Sequence, residues 1–367
     1  MAGRSPDAPN GRRTDPSFTV GFDQPGYDES AHAAAVAAHL GTTHHAIRVG
    51  PREAAEVLSS LATQFDEPVA DMAAIPTHLV SRLARETVTV ALSGDGGDEL
   101  FGGYDRYAQA EALVARLGGL PDKVRQAGAA MLRAAPAPLL NAAGRLLRQP
   151  PGRTGSRARR LAQALEAGSR LDVYRSLVEL WPDAGALSPR SADAPGIWTL
   201  ADADLAGLPG MLPFQLADAH TYLPDVLLAK MDRASMACGL EVRVPLLNHR
   251  LAALAWRLPE QMKRRDGRGK GLLRQVLARH VPDILVDRPK QGFGVPMGIW
   301  LRGPLRDWAE ALLAASALEA AGFARPDIVL SRWRSHLAGE ADWSHPLWAV
   351  LVLQDWLRHW ASAPDTT

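Results

Sequence analysis

VTVALSGDGGDELFGGY, residues 88–104, sets an apolar run directly before a segment where five glycines and three acidic side chains fall within residues 91–104. The run VTVAL is rich in β-branched residues and reads as a buried strand. Gly94, Gly96 and Gly97 can take backbone angles closed to other residues. They also remove side chains, so that successive backbone N–H groups can approach an anion closely and form a nest for it. Asp95, Asp98 and Glu99 would repel a bare phosphate. Carboxylates beside such a nest make sense with Mg2+ between them, because this ion binds through a few carboxylates plus phosphate oxygens. With Ser93 at its head, the loop reads as a magnesium–polyphosphate site. The same residues also suit an acidic turn that caps a helix, and the loop alone does not decide between the two.

The segments before the loop give it a setting. In SFTVGF, residues 17–22, Phe18, Val20 and Phe22 alternate in a run of β-favouring types, which predicts a strand. YDESAHAAAVAAHLG follows as a helix with Asp28 at its cap and Gly41 as its stop. HHAIRV, residues 44–49, is a second strand; PREAAEVLSSLATQF and IPTHLVSRLARE are helices; VTVAL is the third strand. Strands alternating with helices imply βαβ units and a parallel sheet. In such sheets ligands bind beyond the carboxyl ends of the strands, where SGDGGDE would lie. From Tyr107 onward the pattern is helical, interrupted at residues 148–160 (RQPPGRTGSRARR) and 188–210.

Composition excludes several classes. Of the 367 residues, 41 are Lys or Arg and 40 are Asp or Glu, which gives no support to a nucleic-acid or membrane-surface partner. One cysteine, Cys238, rules out a disulfide framework and a cysteine-based zinc site, and fits a cytoplasmic setting. The first residues lack the apolar core of a signal peptide, and no stretch has the length of a membrane span.

Two later stretches add charge to the picture. LLAKMDRASMACGLEVRVPLLNHRL, residues 227–251, interleaves Lys230, Asp232, Arg233, Glu241 and Arg243 with apolar spacers. Such charges suit either a specified site or a solvated helix followed by an edge strand. RPKQGFGVPMGIW, residues 288–300, sets Lys290 among glycines and prolines, on a loop where a cation can neutralise charge that develops during transfer. An exposed surface lysine is the alternative.

Together these stretches resemble the synthetase domain of the asparagine synthetase family, the glutamine-hydrolysing type. FTVGFDQPGYDES and AHLGTTHH resemble its second strand and helix; DEPVADMAAIPTHLVSRLARE and VTVALSGDGGDELFGGYDRY its second pyrophosphate region; YLPDVLLAKMDRASMACGLEVRVPLLNH, KGLLR and RPKQGFGVPMGIW its later segments. The resemblance implies an α/β fold with a parallel sheet of the adenine-nucleotide α-hydrolase, ATP-pyrophosphatase type, N-terminally truncated, with a large helical remainder. It implies a disordered tail at 1–16 and one synthetase domain at 17–362, α/β to residue 110 and helical beyond. The implied reaction is adenylation of the aspartate side-chain carboxylate by ATP with Mg2+, then attack by ammonia to give asparagine, AMP and pyrophosphate. Relatives that amidate other carboxylates keep the substrate open.

By the same resemblance, Asp98 is the magnesium ligand, and Asp95 holds ammonia or substrate. Ser93, Gly94, Gly96 and Gly97 form the loop around the pyrophosphate, and Lys290 contacts the α-phosphate. Val20 and Phe22 lie beside the adenine. Glu99, Lys230, Asp232, Arg233, Glu241 and Arg243 support the substrate site. The implied partners are small molecules, with no nucleic acid or membrane, and the resemblance leaves room for a homodimer. Three features depart from the family. Met1 is followed by Ala2, with no nucleophilic N-terminal cysteine or glutaminase domain. The family's S-G-G-x-D-S loop is not found in residues 1–16. Asn248 stands where the family has aspartate. The readings are therefore an enzyme using free ammonia, one completed by a separate glutaminase or N-terminal half, or a truncated or inactive synthetase fragment, arising from a start-site or sequencing artefact or acting as a non-catalytic partner subunit.

Other features have plain readings. His44 and His45 point to opposite faces of a strand and make a poor metal pair. Trp348, Val352, Trp356 and Trp360 repeat at helical spacing and predict a packed face. Cys238 is expected to be a small buried apolar residue. The basic segment 148–160 is either a solvated loop or a site for an anionic partner.

Overall fold

The computed structural model describes residues 15–24, 26–136, 139, 153–181, 184–188, 198, 205, 207–286 and 294–360. Strand β1, Pro16–Phe22, leads into helix α1, Ser30–Leu40, and then strand β2, Thr43–Val49. Local chemistry accounts for both joins. The Ser30 N–H donates to Asp28 Oδ1 at 2.9 Å, which satisfies one of the open donors of the first helical turn. That bond holds the Asp28 carboxyl below its ordinary range. Gly41 ends the helix at φ 68°, in the left-handed region where glycine carries little cost. The two strands pair in parallel, Pro16 opposite Thr43 and Phe22 opposite Val49, as the alternating pattern predicted. The histidines do fall on opposite faces. His44 Nδ1 lies 3.0 Å from Ser17 Oγ, while His45 stacks on Phe18 with ring centroids 5.3 Å apart.

Helix α2, Pro51–Gln64, begins where the Gly50 N–H donates to Glu53 Oε2, and it buries Val57, Leu58 and Leu61. Helix α3, Ala74–Arg85, buries Ile75 and Leu79. Strand β3, Val90–Leu92, pairs in parallel with β4, Glu241–Arg243. Two expectations change here. Among the described residues the strands form two two-stranded sheets rather than one. Strand β3 is also less buried than its composition suggested, with Val90 39% and Leu92 40% exposed. The reason lies in the register. Glu241 and Arg243 stand opposite Val90 and Leu92 and are exposed with them, so this face of the pair is open.

Contacts divide the chain into two compact units. The first is Met1–Gly103 with Tyr222–Trp300, and it contains all four strands. Strand β4 thus comes from within the stretch read as the helical remainder. Helix Ala229–Met236, preceded by a π-helical segment Tyr222–Leu228, packs on α3 and β4. A small core of Leu100, Phe101 and Ala255 lies under Leu247, Leu251 and Leu273.

The second unit, Tyr104–Thr221 with Leu301–Thr367, is helical in its described elements. Its centre is aromatic: Tyr107, Tyr174 and Phe214 are fully buried. Asp218 Oδ2 accepts from Arg106, Tyr107 and Tyr174, each at 2.7 Å, so three donors converge on one buried carboxylate. Helix Ser344–Trp360 buries Leu347, Trp348, Val350 and Leu351. Trp360 is 47% exposed, so the tryptophan face stops short of the last turn, where Arg358 and His359 are also exposed. From Arg153 the basic segment is helix, Arg153–Glu166, because its Ala and Leu spacing continues into a packed face at Ala158, Ala162 and Ala164. Residues 148–152, the tail 1–14 and most of 188–210 lie outside the described residues.

Candidate active site

The glycine–carboxylate loop leaves the carboxyl end of β3 and enters a five-residue helix α4, Gly97–Phe101. The Ser93 N–H donates to Arg243 O at 2.9 Å, which ties the loop's first residue to β4. Ser93 Oγ donates to Asp95 Oδ2 at 2.5 Å and accepts the Asp95 N–H at 3.3 Å, so serine and carboxylate close a small ring. Gly96 has φ 79°, a conformation that side chains rarely adopt, and a Cβ there would run into Leu247. Glycine is therefore required at this position on two counts.

Asp98 is the charged centre. Its Oδ2 lies 2.9 Å from Lys270 Nζ, and both side chains keep partial access to solvent. The backbone around the pair is tight. The Gly103 N–H donates to Asp98 O at 2.8 Å, and the Lys270 N–H to Phe101 O at 3.1 Å. A Cβ on Gly103 would strike Asp98 and Lys270, and one on Gly269 would strike the backbone of Gly102 and Gly103. Lys270 itself has φ 60°, an uncommon state for a residue with a side chain, held here by these neighbours. Lys270 was visible only as part of KGLLR. Nothing in that string signals a site; its position against Asp98 does.

The other sequence candidates fall into separate places. Val20 and Phe22 are buried in β1, with Phe22 against the Trp300 ring, so their side chains are taken up in packing. Glu99 is 1% exposed, inside α4. Lys230 is buried and donates to Asp71 Oδ2 at 2.7 Å. Arg233 pairs with Asp66 at 2.6 Å and more loosely with the exposed Asp232. Glu241 and Arg243 pair with each other along β4 at 2.7 Å. Lys230 and Arg233 thus share the acidic segment 66–71, whose DEPVAD string carried the partners that residue-by-residue reading missed. Asn248 accepts the Arg250 N–H at 3.0 Å and caps helix His249–Arg257, a task asparagine and aspartate perform equally well. Cys238 is half-buried, with Sγ 3.7 Å from His78 Nδ1; burial pushes its thiol up and the His78 imidazole down. Lys290 lies outside the described residues.

Among the described residues no group of three or more His, Cys, Asp or Glu could hold a metal ion by itself. The partly exposed Asp98 carboxylate is a donor of the kind Mg2+ takes when phosphate oxygens complete its shell. No helix of the described residues is long and apolar enough to cross a membrane.

Parallel strands with a glycine–acid loop at a carboxyl end define an α/β protein of the adenine-nucleotide α-hydrolase class. The asparagine synthase family model matches residues 10–358, and the chain belongs to that family. It is 32% identical over 348 residues to asparagine synthetase [glutamine-hydrolyzing] 1 of Bacillus subtilis, covering 93% of this chain and 51% of that protein. A putative asparagine synthetase of Mycobacterium bovis is 32% identical over 341 residues, covering 93% of this chain and 50% of that protein. Asparagine synthetase B of Escherichia coli is 35% identical over 91 residues, 24% of this chain and 16% of that protein. The chain spans about half the length of the first two relatives.

Proposed function

We propose that the chain forms an amide from a carboxylate at the expense of ATP, through an acyl-adenylate, with aspartate to asparagine as the primary reaction. The observation that carries this reading is the Asp98–Lys270 pair set beside the glycine loop at the carboxyl end of β3. ATP and Mg2+ are its cofactors. When bound, the ion offsets charge on the phosphate oxygens, and Asp98 is the residue that would hold it.

The chain's own groups do the rest. Gly94, Gly96 and Gly97 admit a pyrophosphate close to the backbone. Were Asp98 to hold the ion, the Lys270 ammonium would be released to offset charge on the phosphate oxygens. Lys290, which lies outside the described residues, is the residue we assign to the α-phosphate from the resemblance alone. Asp95, held by Ser93, orients the acceptor carboxyl or ammonia. The carboxylate oxygen attacks the α-phosphorus, and the bond to the β-phosphate breaks to release pyrophosphate. Ammonia then attacks the acyl carbon, AMP leaves, and the amine proton passes to a base. Lys230–Asp71 and Arg233–Asp66 position the walls of the site and take no part in these steps.

Ammonia comes from solution or from a separate glutaminase polypeptide. Aspartate-dependent exchange of labelled pyrophosphate into ATP tests the reading. Exchange that requires Mg2+ and is abolished by Asp98→Asn is expected; no exchange with ammonia and Mg2+ present would contradict independent activity of this polypeptide. A second reading, a subunit that completes a larger enzyme, is favoured by the division of the strands among the described residues into two unjoined pairs.

A further inference from the structure

Among the described residues, two that carry side chains have a positive φ, Asp266 at 53° and Lys270 at 60°, and both lie in one stretch of the first unit. Turn chemistry accounts for the first. Arg265 and Arg268 exchange backbone bonds of 3.0 and 2.9 Å across Asp266 and Gly267, and Gly267 has φ 74°. Asp-Gly is a favoured pair for such a two-residue turn. No turn of this kind accounts for Lys270, which follows it and stands at the N-cap of helix Gly271–Leu277. A costly backbone state persists only where its surroundings hold it.

Those surroundings are a seam between the turn and the end of the glycine–carboxylate loop. Gly269 lies so close to Gly102 that a Cβ on it would stand 2.3 Å from the Gly102 carbonyl oxygen. The Lys270 N–H donates to Phe101 O at 3.1 Å, and Arg274 Nε donates to Gly269 O at 3.1 Å. Arg264, half-buried, spans both sides. Its Nη2 donates to Gly267 O at 2.7 Å, within the turn, and its Nη1 to Gly102 O at 3.4 Å, across the seam. The Gly103 N–H donates to Asp98 O at 2.8 Å, so Arg264 ties the backbone beside Asp98 to the turn that carries Lys270. A guanidinium suits this task because its planar fork donates in two directions at once. We propose that Arg264 is a positioning residue: it clamps residues 264–270 to the loop and so sets the Lys270 ammonium on Asp98. It acts through Lys270 and binds no ligand itself. This deepens the reading of the site given above and rests on it for the ligand.

The test is the rate at which acetic anhydride labels Lys270 in the full chain, read by peptide mass spectrometry. Only the neutral amine reacts, so pairing with Asp98 slows labelling. Asp98→Asn is expected to speed it about threefold, the size of a partly exposed ion pair. Arg264→Met is expected to speed it about as much by itself and to add nothing beside Asp98→Asn. The direction separates position from charge. Loss of a nearby positive charge alone makes Lys270 hold its proton more tightly and slows labelling. Arg264→Lys keeps the charge and the stem but cannot span both carbonyls. It is expected to speed labelling about twofold and decides the question if the methionine variant does not fold. No speeding in Asp98→Asn, unchanged or slower labelling in the Arg264 variants, or equal speeding with Asp98→Asn already present would overturn the proposal. Calorimetric titration with Mg2+ and pyrophosphate gives a second readout. Arg264→Met is expected to weaken binding roughly fivefold alone and no further in Lys270→Met, whereas additive losses would give Arg264 its own contact with phosphate and overturn the clamp. Labelling needs no ligand, so an absence of pyrophosphate binding would count against the functional reading and leave the clamp to the labelling result.

Discussion

Gly96 shows how narrow the choice of residue is at this loop. Its φ of 79° and the contact with Leu247 both exclude a side chain. Gly96→Ala is expected to destabilise the fold by about 1–3 kcal/mol, from the backbone state and the overlap together. Urea unfolding would show it as a lower midpoint at unchanged slope. Lys270 makes the complementary point. It is a residue with a side chain in a left-handed state, its backbone N–H bonded to Phe101 O and its ammonium 2.9 Å from Asp98. Lys270→Met is expected to weaken Mg2+–pyrophosphate about tenfold, roughly 1.4 kcal/mol, while leaving the unfolding midpoint nearly unchanged. Calorimetric titration beside a urea series separates the two effects.

At the scale of elements, the buried network and the helix contacts set stability. Asp218 accepts three bonds on one oxygen. Asp218→Ala leaves two buried tyrosine hydroxyls and a guanidinium without their acceptor, and is expected to cost about 3–5 kcal/mol in chemical denaturation. His78, on α3, gives a pH effect. Burial, aided by Arg82, holds its folded-state pKa below the ordinary 6.5, so the folded protein takes up the proton less readily than the unfolded chain. Its contribution is therefore fully present above pH 6.5 and is lost as the pH falls from there towards the lowered folded value. Melting curves from pH 8 to pH 5 are expected to slope less in His78→Gln than in the wild type. These elements were readable to different degrees. The spacing of Phe18, Val20 and Phe22 and the Gly41 stop are local signals from which the strand–helix–strand unit follows, while the N-cap falls on Glu29 rather than Asp28, whose carboxylate takes the Ser30 N–H. The partner of β3 is not local. Glu241–Arg243 lies some hundred and fifty residues on, in a string whose charges looked equally like a solvated helix, and only contact with the Ser93 backbone reveals its role.

For the whole molecule, the same contrast governs the site. SGDGGDE points to a phosphate loop only through its setting after β3, since the same residues also suit an acidic turn that caps a helix. Lys270, Asp66 and Asp71 carry no such mark, since a lysine or aspartate gains meaning only from what the fold places beside it. Two units built from interleaved segments cannot be read from a change of pattern at one residue. The central claim is that the loop and Asp98 bind phosphate through Mg2+. Calorimetric titration of the full chain with pyrophosphate, with and without Mg2+, tests it most directly. The account predicts binding that requires Mg2+ and falls at least tenfold in Asp98→Asn; equal binding without the metal, or in the variant, would contradict it.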